Sequence, residues 1–232
     1  MKCIIASTST LYGSGYLEYL EQDLANLYAT VDEVLFIPYA RPSGVTFEEY
    51  TLHARPMFER LGKSLKGIHQ YKDPHQAIET AKAFFVGGGN TFLLVKTLQD
   101  LSLMQVLKEK VSSGIPYLGT SAGSNICGIN MQTTNDMPIV MPRSFSTMAI
   151  LPFNINAHYL EPDPTSTHKG ETRRTRIKEF QNFNNINVLG LKEGSWLEVS
   201  GTKLSLKGNE DAVWFEPQKE PKLLHPNHVF NS

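Results

Sequence analysis

The sequence predicts an α/β fold: a mostly parallel sheet covered by helices on both faces, followed by antiparallel strands. Three observations predict it. Short β-rich apolar runs recur at residues 3–6, 34–38, 84–86 and 116–118, stretches of helical period separate them, and after Pro152 the apolar runs become closely spaced with turn residues between them. Alternation of strand and helix is the signature of parallel β-α-β units.

The elements follow in order. The run at 3–6 is the first strand, and residues 15–28 form the first helix. After the strand at 34–38, the helical pattern of 47–61 covers the sheet. A third helix spans 74–83, where Asp73-Pro74 supplies an N-cap and a proline at the first helical position. The strand at 84–86 ends in Gly87-Gly88-Gly89-Asn90 before a helix begun by Thr91, and the strand at 116–118 ends in Gly119-Thr120-Ser121-Ala122-Gly123. The tail reads as strands at 153–156, 188–191, 196–199, 203–206 and 212–215, joined into hairpins by Asn184-Asn185, Ser200-Gly201 and Lys207-Gly208-Asn209.

Composition narrows the function classes. With 232 residues, 41% of them apolar, the chain can bury a full core without staples, so a single domain over 1–232 is expected. The 22 basic and 23 acidic side chains nearly cancel, which gives no overall field toward nucleic acid or an anionic membrane and points to a small-molecule partner. The two cysteines, Cys3 and Cys127, lie in apolar segments and suit a reducing compartment. The apolar run at 3–6 is too short for a signal-peptide core, so a cytoplasmic protein is expected.

The chemistry starts at Ser121. A serine between two glycines on a strand-to-helix bend has its hydroxyl exposed at the tip, because neighbours without bulk let the backbone turn sharply. The Gly87–Asn90 loop lacks the third glycine of a dinucleotide fingerprint, since position 92 is Phe92; its better use is as an oxyanion hole, a glycine N–H acting with the N–H of Ala122. An alcohol needs a base. Of seven histidines, His158 follows the strand-like Phe153-Asn154-Ile155-Asn156 and stands at another sheet edge. Two carboxylates can orient it. Asp136, set among Thr133, Thr134 and Asn135, is favoured because a buried carboxylate demands donors around it; Glu193, at the end of a strand, is the runner-up. The group His158, Glu161, Asp163 and His168 matches no metal-ligand spacing, so no metal is expected. Arg173 shares a helical stripe with Ile177 and Phe180, which suits either an internal salt bridge or a substrate carboxylate.

Several of these stretches together resemble peptidase E, the α-aspartyl dipeptidase family: Phe85-Val-Gly-Gly-Gly-Asn-Thr-Phe92, Gly119-Thr-Ser-Ala-Gly123, Thr133-Thr-Asn-Asp-Met-Pro-Ile-Val140, Asn154-Ile-Asn-Ala-His-Tyr159 and His168-Lys-Gly-Glu-Thr-Arg173. The resemblance implies a three-layer α/β/α sandwich like that of class I glutamine amidotransferases, and a serine dipeptidase that cleaves after an N-terminal aspartate without a metal or organic cofactor. It also implies Ser121 as nucleophile, His158 as base, Asp136 as third member of the triad, and Gly89 and Ala122 as oxyanion-hole amides. Glu193 matches a glutamate also considered for the triad. Asn90, Arg173 and Glu171 are the expected substrate contacts, Arg173 for the aspartyl carboxylate and Glu171 for the ammonium. Ala157 departs from the family pattern, where a proline precedes the histidine. A monomer or homodimer is expected. The rival readings are a cyanophycinase-like β-aspartyl peptidase and a non-catalytic binding protein on the same scaffold.

Overall fold

Alternate residues of each central strand enter opposite cores, which is why the sheet is sandwiched. Cys3 and Ile5 face one apolar cluster with Ile37, Phe84 and Val86, while Ile4 and Ala6 face a second with Phe36, Phe85 and Leu118. The computed structural model describes every residue except Ser43, Pro164, Ser166, His168, Lys169, Asn231 and Ser232.

The first half runs β1 (Lys2–Ala6), α1 (Glu21–Leu27), β2 (Glu33–Ile37), α2 (Phe47–Arg60), β3 (Ser64–Gly67), α3 (Pro74–Thr80), β4 (Phe84–Val86), α4 (Thr91–Asp100), α5 (Met104–Ser112), β5 (Tyr117–Thr120) and α6 (Ala122–Asn125). The second half adds β6 (Asn154–Ala157), α7 (Arg173–Phe183), β7 (Val188–Leu191), β8 (Ser195–Ser200), β9 (Lys203–Gly208), β10 (Ala212–Phe215), β11 (Lys222–Leu224) and β12 (Val229–Phe230). The large sheet has the order β12-β9-β8-β1-β5-β4-β2-β3, with β1, β5, β4, β2 and β3 mutually parallel. Helices α1 and α2 cover one face and α3 to α6 the other, the expected three layers. The capping of α3 is as predicted: the Asp73 carboxylate accepts from the N–H groups of His75 and Gln76.

Three elements depart from expectation. β3 had no apolar run to announce it, because an edge strand buries little: its residues Ser64 and Lys66 are not buried, and only Leu65 and Gly67 face inward. The helix expected over 15–28 begins late, since Leu17 adopts φ 58°, and a 3-10 turn at Glu18–Leu20 precedes α1. The tail is not wholly antiparallel. β6 pairs with β7 in parallel because α7 carries the chain over between them, and β7, β10 and β11 continue a second, four-stranded sheet antiparallel to it. Only β8, β9 and β12 form the antiparallel extension of the large sheet. Ile155, Leu189 and Leu191 of the second sheet share one core with Cys3, Ile5 and Val86 of the first, and this packs the two sheets together. No helix among the described residues is long and apolar enough to cross a membrane.

Candidate active site

Parallel strands end in loops at their carboxyl edge, and here four such loops meet. Ser121 follows β5 with φ 52° and ψ −108°, outside the regions ordinary residues occupy, a conformation that costs about 1–3 kcal/mol. The surroundings impose it. A Cβ at Gly123 would overlap the carbonyl of Val86, and one at Gly119 would collide with the carbonyl of Gly123, so both glycines are required for α6 to leave β5 so abruptly. The bend is tied down by Ser124, whose hydroxyl donates to the carbonyls of Ala6 and Gly119 at 2.6 and 2.9 Å.

The glycine loop after β4 lies against this bend. A methyl at Gly88 would sit 3.1 Å from the Ser121 Cβ. Gly89 has φ 142°, and a side chain there would overlap Ala40, whose carbonyl accepts the N–H of Asn90 at 2.7 Å. The N–H groups of Gly88, Gly89 and Ala122 find no acceptor among the described residues. Asn90, by contrast, uses its side-chain amide within the fold: its oxygen caps α4 at the N–H of Leu93, and its nitrogen donates to the carbonyl of Met137.

The second sheet supplies the base. His158 follows β6 with φ 54°, and its Nε2 is 2.8 Å from the Ser121 hydroxyl. Its Nδ1 is 2.6 Å from a carboxylate oxygen of Glu193. Glu193 stands in the turn from β7 to β8, closed by the Ser195 N–H on the Lys192 carbonyl, with Gly194 at φ 88° where such a turn favours glycine. The acid against the imidazole is therefore Glu193, and the favoured Asp136 is elsewhere. The Asp136 carboxylate accepts from the N–H and hydroxyl of Thr91 at 2.7 and 2.5 Å and from the Thr134 hydroxyl at 2.9 Å. The donors predicted around Asp136 are real, but they attach it to the first turn of α4 rather than to the histidine.

One residue that sequence reasoning missed joins the two halves. The Ser7 hydroxyl donates to the carbonyl of Leu191 at 2.7 Å and accepts the N–H of His158 at 2.8 Å. It fixes the histidine loop to the end of β1. Its only signal in the sequence is a polar residue directly after an apolar strand.

Arg173 opens α7 above this site. Its Nη1 is buried with no hydrogen-bond partner among the described residues, and burial lowers the guanidinium pKa while the nearby Glu193 carboxylate raises it. The expected stripe holds, with Ile177 buried and Phe180 packed beside it. Glu171 is exposed. In the group examined for metal binding, Glu161 accepts from the Tyr159 hydroxyl and Asp163 from Thr165, and His168 lies outside the described residues. Among the described residues, no group of three His, Cys, Asp or Glu side chains is placed to hold a metal ion.

Comparison with known proteins agrees over nearly the whole chain. The model of peptidase family S51 matches residues 3–207. Peptidase E of Streptomyces coelicolor is 43% identical over 224 residues, covering 97% of this chain and 91% of its own length. A Drosophila melanogaster protein named "Probable alpha-aspartyl dipeptidase" is 42% identical over 226 residues, covering 96% and 93%. The crystal structure of a peptidase from an acI-B1 Actinobacterium shares the fold, with a TM-score of 0.73 at 18% identity, covering 100% of this chain and 96% of the other.

Proposed function

This chain belongs to peptidase family S51 and is a serine-type dipeptidase, and on that premise we propose that it hydrolyses dipeptides with an N-terminal aspartate through a Ser121-His158-Glu193 triad. The observation that carries the triad is the unbroken line from the Ser121 hydroxyl to His158 Nε2 at 2.8 Å and from His158 Nδ1 to Glu193 at 2.6 Å. We propose that residues 1–232 act as one catalytic unit. Two buried, unpaired cysteines support a reducing, cytoplasmic location.

In the reaction, the Ser121 oxygen attacks the carbonyl of the aspartyl residue while His158 Nε2 takes its proton. Glu193 accepts a hydrogen bond from Nδ1–H, which fixes the tautomer that leaves Nε2 free to act as base and stabilises the imidazolium that forms. The negative oxygen of the tetrahedral intermediate is met by the N–H groups of Gly89 and Ala122, whose lack of protein acceptors supports that role. The intermediate collapses as His158 returns the proton to the leaving amine. Water activated by the same imidazole then hydrolyses the ester and frees Ser121.

Selection of aspartate requires a cation near the acyl side. Arg173 fits it because a buried guanidinium nitrogen that has no partner among the described residues gains a bidentate acceptor when a carboxylate binds. Glu171, just before α7, is the proposed acceptor for the substrate ammonium. Asp136 falls outside the reacting groups on this reading; it holds the loop at 131–148 to α4.

A dipeptide panel with the first residue varied tests the specificity, run with α- and β-linked Asp-Leu and with Ser121→Ala as control. Cleavage confined to α-Asp-X, reduced at least about 10⁴-fold by the substitution, is expected. Equal cleavage of Ala-Leu and Asp-Leu removes the aspartate assignment, and cleavage of β-Asp-Leu alone exchanges it for the β-linkage.

A further inference from the structure

A second arginine stands at the same sheet edge and forms no ion pair among the described residues. Arg41 follows β2, directly after Ala40, the residue whose carbonyl anchors Asn90 of the glycine loop. Its guanidinium carbon lies 4.3 Å from the centroid of the Tyr50 ring. The Tyr50 hydroxyl in turn approaches the carbonyl of Gly88 at 3.4 Å and receives a hydrogen bond from the Tyr16 hydroxyl at 3.2 Å. Gly88 is the point at which the loop touches Ser121. A contact path, Arg41 to Tyr50 to Gly88, therefore links this cation to the glycine loop that lies against Ser121.

The guanidinium has unmet bonding capacity. Among the described residues Arg41 Nε, which is buried, has no hydrogen-bond partner, and the side chain enters no ion pair and donates no hydrogen bond. Contact with the Tyr50 ring face does not satisfy its N–H groups, because a ring face offers charge stabilisation but no lone pairs. A planar donor that is part buried and in no ion pair among the described residues suits a carboxylate that arrives from solution.

An Asp-X dipeptide at neutral pH carries two carboxylates, one on either side of the scissile amide. Among the described residues two guanidinium groups at this edge each hold a buried nitrogen without a hydrogen-bond partner, Arg173 near Glu193 and Arg41 on the Tyr50 ring that meets the glycine loop. We propose that Arg41, stacked on Tyr50, binds the α-carboxylate of the leaving residue and so makes the enzyme prefer dipeptides to longer peptides. In a dipeptide the terminal carboxyl carbon is only three bonds, about 4 Å at most, from the scissile carbon, so the charge falls within a guanidinium's reach of the reacting centre. A longer peptide presents a neutral amide there and leaves the guanidinium without its anion.

This subsite rests on the Asp-X reading above, and the test separates the two. The wild-type chain, Arg41→Met, Arg41→Gln and Arg173→Met are assayed with Asp-Leu and with its amide, Asp-Leu-NH2. The wild type is expected to prefer the free acid, and either Arg41 substitution to lower kcat/KM for Asp-Leu about 10- to 100-fold, mainly through KM, while leaving Asp-Leu-NH2 unchanged. Cleavage of the amide at the wild-type rate also reports that the variants are folded. Arg173→Met is expected to depress both substrates alike. Equal losses on acid and amide in both Arg41 variants would make Arg41 a structural cation and overturn the subsite, as would no loss on either, or a wild type indifferent to the terminal charge. Wild-type failure on every Asp-X substrate, with cleavage of neutral dipeptides, is a different result: it removes the aspartate assignment itself.

Discussion

The Asp136 loop and the Glu193 turn both carry a carboxylate to the same end of the molecule, yet they are built in opposite ways. Asp136 is met by three donors from Thr91 and Thr134, one of them only two residues away. Glu193 has few local partners, is about half exposed at 49%, and faces an imidazole that is 35 positions distant in sequence. Local donors satisfy a carboxylate and thereby remove it from other work. A carboxylate left with free lone pairs at a strand end remains available to an imidazole. The donors that recommended Asp136 are Thr91, at the first turn of α4, and Thr134.

Substitutions at the two sites sharpen that contrast. The largest effect is expected at Glu193→Gln, which keeps the shape but cannot favour the imidazolium: kcat should fall about 10²- to 10⁴-fold with little change in melting temperature. Ser7→Ala comes next. Loss of the hydroxyl between Leu191 and His158 leaves the histidine N–H unpaired and loosens the loop, so about a tenfold fall in kcat is expected, measured at saturating Asp-Leu. Asp136→Asn should act mainly on stability, costing about 1–2 kcal/mol and lowering the thermal midpoint by about 2–8 °C, while kcat stays within about threefold of wild type. A reversed pattern, with Asp136→Asn abolishing turnover and Glu193→Gln neutral, would return Asp136 to the triad.

The smallest effect is expected at the thiols. Burial pushes the Cys3 thiol up to about 12 and raises Cys127 as well, so neither is a thiolate at pH 8. A disulfide exchange reagent should label neither cysteine in the native chain, leave activity unchanged, and label both after unfolding. Rapid native labelling with loss of turnover would place a reactive thiol in the site.

Much of the site was legible because it is local. Ser121 and its flanking glycines, the loop at Gly88 and Gly89, and the position of His158 at a strand end each follow from a few adjacent residues. Steric overlap at Gly119 and Gly123 leaves the chain no other way to turn there. What was not legible depends on docking. The parallel pairing of β6 with β7 was concealed by turn residues that suggested hairpins, and β3 by the weak pattern of an edge strand. Ser7 is one polar residue among several near the start of the chain, and its role exists only once β1 lies beside the second sheet.

By itself the sequence determined the alternation of strands and helices, the strained serine, the glycine loop and the histidine, since each is set by backbone sterics and hydrophobic period over a few residues. Only the tertiary structure decided which carboxylate meets the imidazole and which guanidinium nitrogens have no hydrogen-bond partner among the described residues. Those pairings join segments far apart in the chain, and their geometry comes from how two sheets share one core.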